Sequence, residues 1–220
     1  MKITVNGTEL FYEITGQGRT LILVHGNGED HHIFDQLVDV LKERFTCYCI
    51  DSRGHGKSSK TDIYSYQIMA DDIIAFIKKL KLTNVAYYGF SDGGIIGLLV
   101  ASQSNLISDL IISGANIEPR GLKDHVYYLM KAAYIIKKDP KIKLMLEQPH
   151  INHHTLQKIK ARTLVLAGSK DMIKESHTFE IAHNISGSKL VILPKEDHGS
   201  YVVNSTKLAP IIISFVEDIV

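Results

Sequence analysis

Apolar residues fall in short runs along the chain, and their period changes from run to run. Residues 2–6 alternate apolar and polar positions, residues 2–6 and 9–15 read as two strands, and Asn6-Gly7 between them is a strong hairpin signal. Gly16-Gln17-Gly18 breaks the second strand. Thr20 to His25 is a continuous apolar run of the kind found in buried strands. Over 31–43, Ile33, Phe34, Leu37, Val40 and Leu41 recur at helical spacing. Phe45 to Ile50 predicts a strand, and a polar, Gly-rich loop follows from Asp51 to Asp62. An amphipathic helix is expected from about Ser65 to Leu80, through Ile68, Ile73, Ile74, Ile77 and Leu80. Asn84 to Tyr88 predicts a buried strand, Gly94 to Ala101 a buried helix, and Leu106 to Ser113 another strand.

From about residue 115 to 160 the pattern turns helical. Asp124–Lys138 and Asp139-Pro140 to Glu147 are the two expected helices, with Pro140 suited to a first helical position. A buried strand returns at Arg162–Gly168. A helix from Glu175 to Asn184, a strand from Lys189 to Leu193 and a last helix from about Tyr201 to Glu217 complete the reading. Strands alternating with helices predict the α/β class: a mainly parallel sheet of about eight strands, with helices on both faces. The first hairpin adds an antiparallel edge. The expected organisation is one domain over 1–220, with the helical segment at about 115–160 inserted after a strand as a small cap over the strand ends.

Composition narrows the classes of function. With 220 residues, 45% of them hydrophobic, and a net charge of +1, the chain can build a substantial core and offers no overall charge for nucleic acid or a membrane surface. Its start, Met1 to Gly7, lacks the long apolar core of a signal peptide, and a cytoplasmic location is expected. Cys47 and Cys49 lie two apart in a strand, side by side on one face, which suits packing better than a mutual disulfide.

The candidate chemistry centres on Gly89-Phe90-Ser91-Asp92-Gly93. This G-x-S-x-G sequence lies between a predicted strand and a predicted helix, the context in which it forms a sharp turn that projects the serine hydroxyl above the sheet. Gly89 and Gly93 leave room where a Cβ would crowd the strand or helix. The helix N-terminus beside Ser91 offers free N–H groups and its positive dipole end to a developing anion. Asp51 to Ser58 ends like a phosphate loop, but Asp51 stands where that motif needs glycine. His150, His153 and His154 have no companion cysteine or carboxylate at ligand spacing, so no metal site is expected.

Taken in order, His25-Gly26-Asn27-Gly28, Asp51-Ser52-Arg53-Gly54-His55-Gly56-Lys57-Ser58, the elbow at Gly89–Gly93, the loop with Asp171 and the loop with His198 resemble the α/β-hydrolase superfamily over nearly the whole chain. The resemblance implies Ser91 as nucleophile, His198 as base and Asp171 as the orienting acid, in the superfamily's chain order. Asp197, next to His198, is read as a solvated carboxylate. The second oxyanion donor would be the N–H of Asn27, beside that of Asp92, with His25 bracing the loop. The Asp51–Ser58 stretch would be structural. The chain is short for the superfamily, which implies a small cap and an open site. Asp92 departs from comfort, since a carboxylate directly after the nucleophile could lower activity or select substrates. The function implied is hydrolysis of a small carboxylic ester or related acyl compound, without cofactor or metal. Cleavage of a carbon–carbon bond in a ring-fission diketone uses the same residues and stays open, as does a ligand-binding module with little turnover. Pocket walls are expected from the cap, with Tyr127, Tyr128, Met130 and Tyr134 as candidates that packing could equally claim.

Overall fold

A computed structural model describes residues 1–218. Its eight strands are β1 (Lys2–Val5), β2 (Thr8–Thr15), β3 (Arg19–Val24), β4 (Phe45–Ile50), β5 (Val85–Phe90), β6 (Ile107–Ser113), β7 (Arg162–Gly168) and β8 (Lys189–Leu193). They form one sheet in the order β1-β2-β4-β3-β5-β6-β7-β8. β1–β2 and β2–β4 are antiparallel, and every later pair is parallel. The edge hairpin turns at Asn6 and Gly7 with φ of 46° and 74°, the two positive angles a tight hairpin turn matched to strand twist requires.

Eight helices join the strands: α1 (Asp35–Leu41), α2 (Tyr66–Lys79), α3 (Asp92–Gln103), α4 (Asp124–Lys137), α5 (Pro140–Glu147), α6 (His153–Gln157), α7 (Glu175–Asn184) and α8 (Ala209–Val216). The period of two along each strand separates two cores. On β3, Ile22 and Val24 pack with α2 and α3, while Leu21 and Leu23 pack with α1 and α8. All six residues of β5 are buried, so the strand that carries the elbow lies at the centre of the sheet. α3 is apolar on every side and buried between sheet and α2, as a helix without a polar face must be. α4, α5 and α6 lie between β6 and β7, over the residues where the helical insertion is expected. No helix among the described residues is long and apolar enough to cross a membrane.

Two expected helices are shorter than their apolar spacing suggests. Residues 31–34 form a 3-10 turn before α1, because Asp51 Oδ1 takes both the His31 N–H at 2.9 Å and His31 Nδ1 at 2.7 Å. The stretch after His198 does not enter a helix until Ala209. Asn204 adopts φ 48° and donates its N–H to Ile33 O, so Tyr201 and Val202 are buried from turns rather than from a helix. Cys47 and Cys49 are free and buried, and burial pushes the Cys47 thiol up to about 12.

Candidate active site

The Ser91 backbone has φ 52° and ψ −114°, a strained conformation for a residue with a side chain. The turn is tight on both flanks. A Cβ on Gly89 would stand 2.2 Å from Gly93 O, and one on Gly93 would stand 2.0 Å from Val24 O. The strain is held by the Ser91 N–H bond to Ser113 O at 2.8 Å and by α3, whose Gly94 and Ile95 N–H groups return to Ser91 O at 2.9 and 3.1 Å.

Loops from four other strand ends, those of β3, β6, β7 and β8, gather around this turn. His198, after β8, places Nε2 3.0 Å from Ser91 Oγ. Its Nδ1 lies 2.7 Å from Oδ1 of Asp171, which follows β7. The same Oδ1 accepts the Ile173 N–H at 2.9 Å, which fixes the carboxylate's direction. Room for the imidazole comes from Gly114 after β6 (φ 62°), where a Cβ would stand 2.7 Å from His198 Cε1. Phe90 lies against the ring at 4.9 Å between centroids. Asp197 is exposed and accepts the Gly199 and Ser200 N–H groups, so it turns away from the imidazole.

After β3, the 25–29 loop passes directly beside the serine. A Cβ on Gly26 would stand 3.1 Å from Ser91 Cβ. His25 is buried and braces the loop: its Nε2 accepts the Ser52 N–H at 3.1 Å, which leaves the proton on Nδ1, 2.7 Å from Gly26 O. Burial holds its pKa down, so the ring stays neutral. Asn27 lines the cavity above Ser91, and its side chain is spoken for. Its amide donates to Asp92 Oδ2 at 2.8 Å and to Lys141 O at 3.2 Å, tying loop, nucleophile turn and α5 together.

Asp92 is buried, and its second oxygen accepts the Tyr66 hydroxyl at 2.8 Å. Desolvation pushes its carboxyl up from 3.8 to about 6, against the pull of those two donors. Protonated Asp92 therefore favours folding; the contribution is complete below pH 4 and is lost as pH rises through 6. Asp92→Asn keeps a hydrogen bond to each neighbour: its Oδ1 accepts from the Asn27 amide, and its Nδ2 donates to the Tyr66 hydroxyl oxygen. A two-unit shift is worth about 3 kcal/mol, so Asp92→Asn is expected to stabilise the fold by up to about that amount at pH 8 and by little at pH 4. Thermal melts of both proteins across that range check it; equal melting temperatures at pH 8 contradict it.

The cavity over Ser91 has a volume of about 190 Å³. Besides the loop and His198 it is walled by Met130 of α4, Met145 of α5 and Met172, flexible side chains that adapt to the shape they face. Of the cap residues the sequence singles out, only Met130 reaches it. Tyr128 is 57% exposed, Tyr127 lies under Arg120 and Tyr134 under Lys138, so these rings neither line the cavity nor pack against the core.

Sequence reasoning also misses Glu29, which lines the same cavity. Its Oε2 accepts the Gly26 N–H at 3.0 Å, and desolvation raises its pKa. A Cβ on Gly26 would lie 2.7 Å from that oxygen and 3.1 Å from Ser91 Cβ, so the carboxylate sits within about 6 Å of the serine. The one signal in sequence is an acidic residue two places past Asn27.

The Asp51–Ser58 stretch is structural. Asp51 collects N–H groups from His31 and Lys57, and Arg53 forms a buried two-point pair with Asp72. His150, His153 and His154 are exposed and do not converge. Among the described residues only Asp30, His31 and His32 bring three ligand-type atoms within 4.8 Å of one another. Asp51 Oδ1 holds His31 Nδ1 at 2.7 Å, Asp35 Oδ2 holds His32 Nδ1 at 3.0 Å, and Asp30 accepts the His32 N–H at 3.0 Å.

The chain is similar to known proteins in sequence and in fold. The chain is 26% identical to the serine hydrolase BPHL of Homo sapiens, over 91% of this chain and 80% of that protein. It is 29% identical to the AB hydrolase superfamily protein YisY of Bacillus subtilis, over 94% of each. The esterase EaEST from Exiguobacterium antarcticum superposes with a TM-score of 0.85 at 25% identity, over 97% of each chain. A family model described as the alpha/beta hydrolase fold matches residues 19–131, from β3 through the elbow into α4, and with this sheet order and this strained serine turn the chain belongs to that family.

Proposed function

We propose that this hydrolase cleaves a small carboxylic ester, or a related acyl compound, through an acyl intermediate on Ser91. The observation that carries the proposal is one chain of contacts: Ser91 Oγ, His198 and Asp171, joined at 3.0 and 2.7 Å. A serine hydroxyl is a weak nucleophile until a base takes its proton. His198 Nε2 is within reach to do so as Oγ attacks the carbonyl carbon. Asp171 keeps the Nδ1 proton in place and stabilises the imidazolium that forms. The imidazolium then protonates the departing alkoxide, leaving the acyl group on Ser91. Water, activated by the same nitrogen, attacks the acyl-serine, and the acid leaves as the hydroxyl of Ser91 is restored.

The negative oxygen of each tetrahedral intermediate needs donors fixed before the reaction. Asp92 opens α3, so its backbone N–H has no acceptor within the helix and lies at the positive end of its dipole. The Asn27 N–H is the second donor in this reading. Two contacts keep its loop rigid: the Glu29 carboxylate on the Gly26 N–H, and the Asn27 side chain on Asp92.

Size selects within this chemistry. A cavity of about 190 Å³ falls below the several hundred Å³ of clefts that enclose drug-sized ligands. It suits a short acyl chain better than a ring-fission diketone, whose carbon–carbon bond the same three residues could otherwise cleave. Across p-nitrophenyl acetate, butyrate, hexanoate and octanoate, kcat/KM is expected to be highest for the two short esters and lower for octanoate by about tenfold or more. No turnover of any ester by folded protein overturns the proposal; a maximum at octanoate overturns its size limit.

A further inference from the structure

Charge on this molecule is unevenly placed. Between Arg120 and Lys143, the stretch of α4 and the start of α5, seven lysines and arginines face two aspartates, a formal +5. The whole chain carries +1, so the remainder is −4. One of the two aspartates is already neutralised, since Asp124 pairs with Arg120 and Lys174. Among the described residues no carboxylate comes within ion-pair distance of Lys123, Lys131, Lys137, Lys138 or Lys141.

The same helix exposes its apolar side chains. Tyr128 is 57% exposed, Leu129 70%, Ile135 61% and Ile136 83%, and no residue of α4 is buried. Their spacing, with Ala132 between them, gathers them into one stripe along the outside of the helix. Met130 points the other way, into the cavity over Ser91. Scattered exposed apolar residues are ordinary, but four large ones in a continuous stripe mark a contact surface. The exposed Lys131 and Lys138, seven residues apart, follow one edge of it, while Lys137 falls on the side of Met130.

We propose that α4 lays this face on an anionic phospholipid surface. An apolar stripe edged by lysines is the pattern of a helix that lies in the plane of a lipid interface, with its aliphatic side chains in the acyl boundary and its ammonium groups among the phosphates. The face is the outer side of one helix, where Tyr128, Leu129, Ile135 and Ile136 stand open to solvent. A second copy of the chain would bring two +5 surfaces together, which like-charge repulsion opposes. Docking would hold the cap, and the cavity beneath Met130, against the lipid. The proposal is independent of the reading of Ser91.

Sedimentation with sucrose-loaded vesicles tests it, comparing phosphatidylcholine–phosphatidylglycerol with pure phosphatidylcholine. The protein is expected to pellet with the anionic vesicles, to stay in solution with the neutral ones, and to be released by salt. Leu129→Glu with Ile136→Glu, and separately Lys131→Glu with Lys138→Glu, should each weaken binding by about tenfold or more. Both pairs lie on the solvent side of α4, and an unchanged thermal melt shows that each variant is folded. The proposal is overturned if the protein does not pellet, if variants and parent pellet alike, or if both vesicle types bind equally. It is equally overturned if light scattering shows a dimer that Leu129→Glu with Ile136→Glu dissociates, or if the face captures an acidic protein and no vesicle.

Discussion

Ser91→Ala is expected to lower kcat for p-nitrophenyl acetate by about 10⁴-fold or more, with KM and the melting temperature little changed. Nucleophile, base and acid act as a unit, so removing the attacking oxygen leaves His198 and Asp171 with nothing to activate. What remains is the slow reaction of water held near the oxyanion donors. The fold should not notice. The elbow's strain resides in the backbone at φ 52°, and alanine meets it with the same Cβ as serine. The lost contact is one hydrogen bond to His198, at a position that is only partly buried. Activity within tenfold of the parent would remove Ser91 from the reaction; a collapse of the melting temperature would mean that the hydroxyl supports the fold.

The largest expected effect on stability lies outside the cavity. Arg53 donates Nε to Asp72 Oδ2 at 2.6 Å and Nη2 to Oδ1 at 2.7 Å, with the Asp72 side chain 2% exposed. The pair fastens the Asp51–Ser58 loop to α2, and Asn6 of the edge hairpin joins it with a bond to Asp72 at 3.1 Å. Arg53→Met keeps the apolar stem and removes the charge, leaving a buried carboxylate with only the Asn6 amide. Such a loss costs about 3–5 kcal/mol, and a domain of this size loses about 2–4 °C per kcal/mol. Arg53→Met combined with Asp72→Leu should recover most of the drop, because burying neither charge avoids both desolvation costs. Thermal melts of the two variants decide it. A single variant within about 1 kcal/mol of the parent would show that Asp72 finds another partner or water.

Features set by local chemistry could be read without a structure. Asn6-Gly7 dictates its own turn, and β7 and β8 begin and end where the apolar runs do. The elbow was legible because two glycines, a serine, a strand and a helix must coincide. Ser91, Asp171 and His198 are brought together as expected because each sits just past the carboxyl end of a parallel strand, or in the turn after one, and the sheet aligns those ends. Contacts across the fold were not legible. Nothing near Asp92 announces that Tyr66, on another helix, will hold its carboxylate, or that the Asn27 side chain will. A helix is expected from about Tyr201, and one turn does form there, with Gly199 O taking the N–H groups of Val202 and Val203, but Asn204 at φ 48° sends its N–H to Ile33 O and ends it. The cap defeated periodicity for another reason. Apolar spacing on α4 looks like a face meant for the core, and the structure turns half of it to solvent.

The proposed chemistry rests on Ser91 as a nucleophile made reactive by His198. The measurement that meets it most directly is labelling with a fluorophosphonate, with the modified residue located by mass spectrometry. A reactive serine displaces fluoride from phosphorus and stays phosphonylated, so the label records the attacking oxygen itself. One label per chain is expected, on Ser91, with labelling strongly slowed in His198→Ala. Folded protein that takes no label, or takes it on another residue, would contradict it.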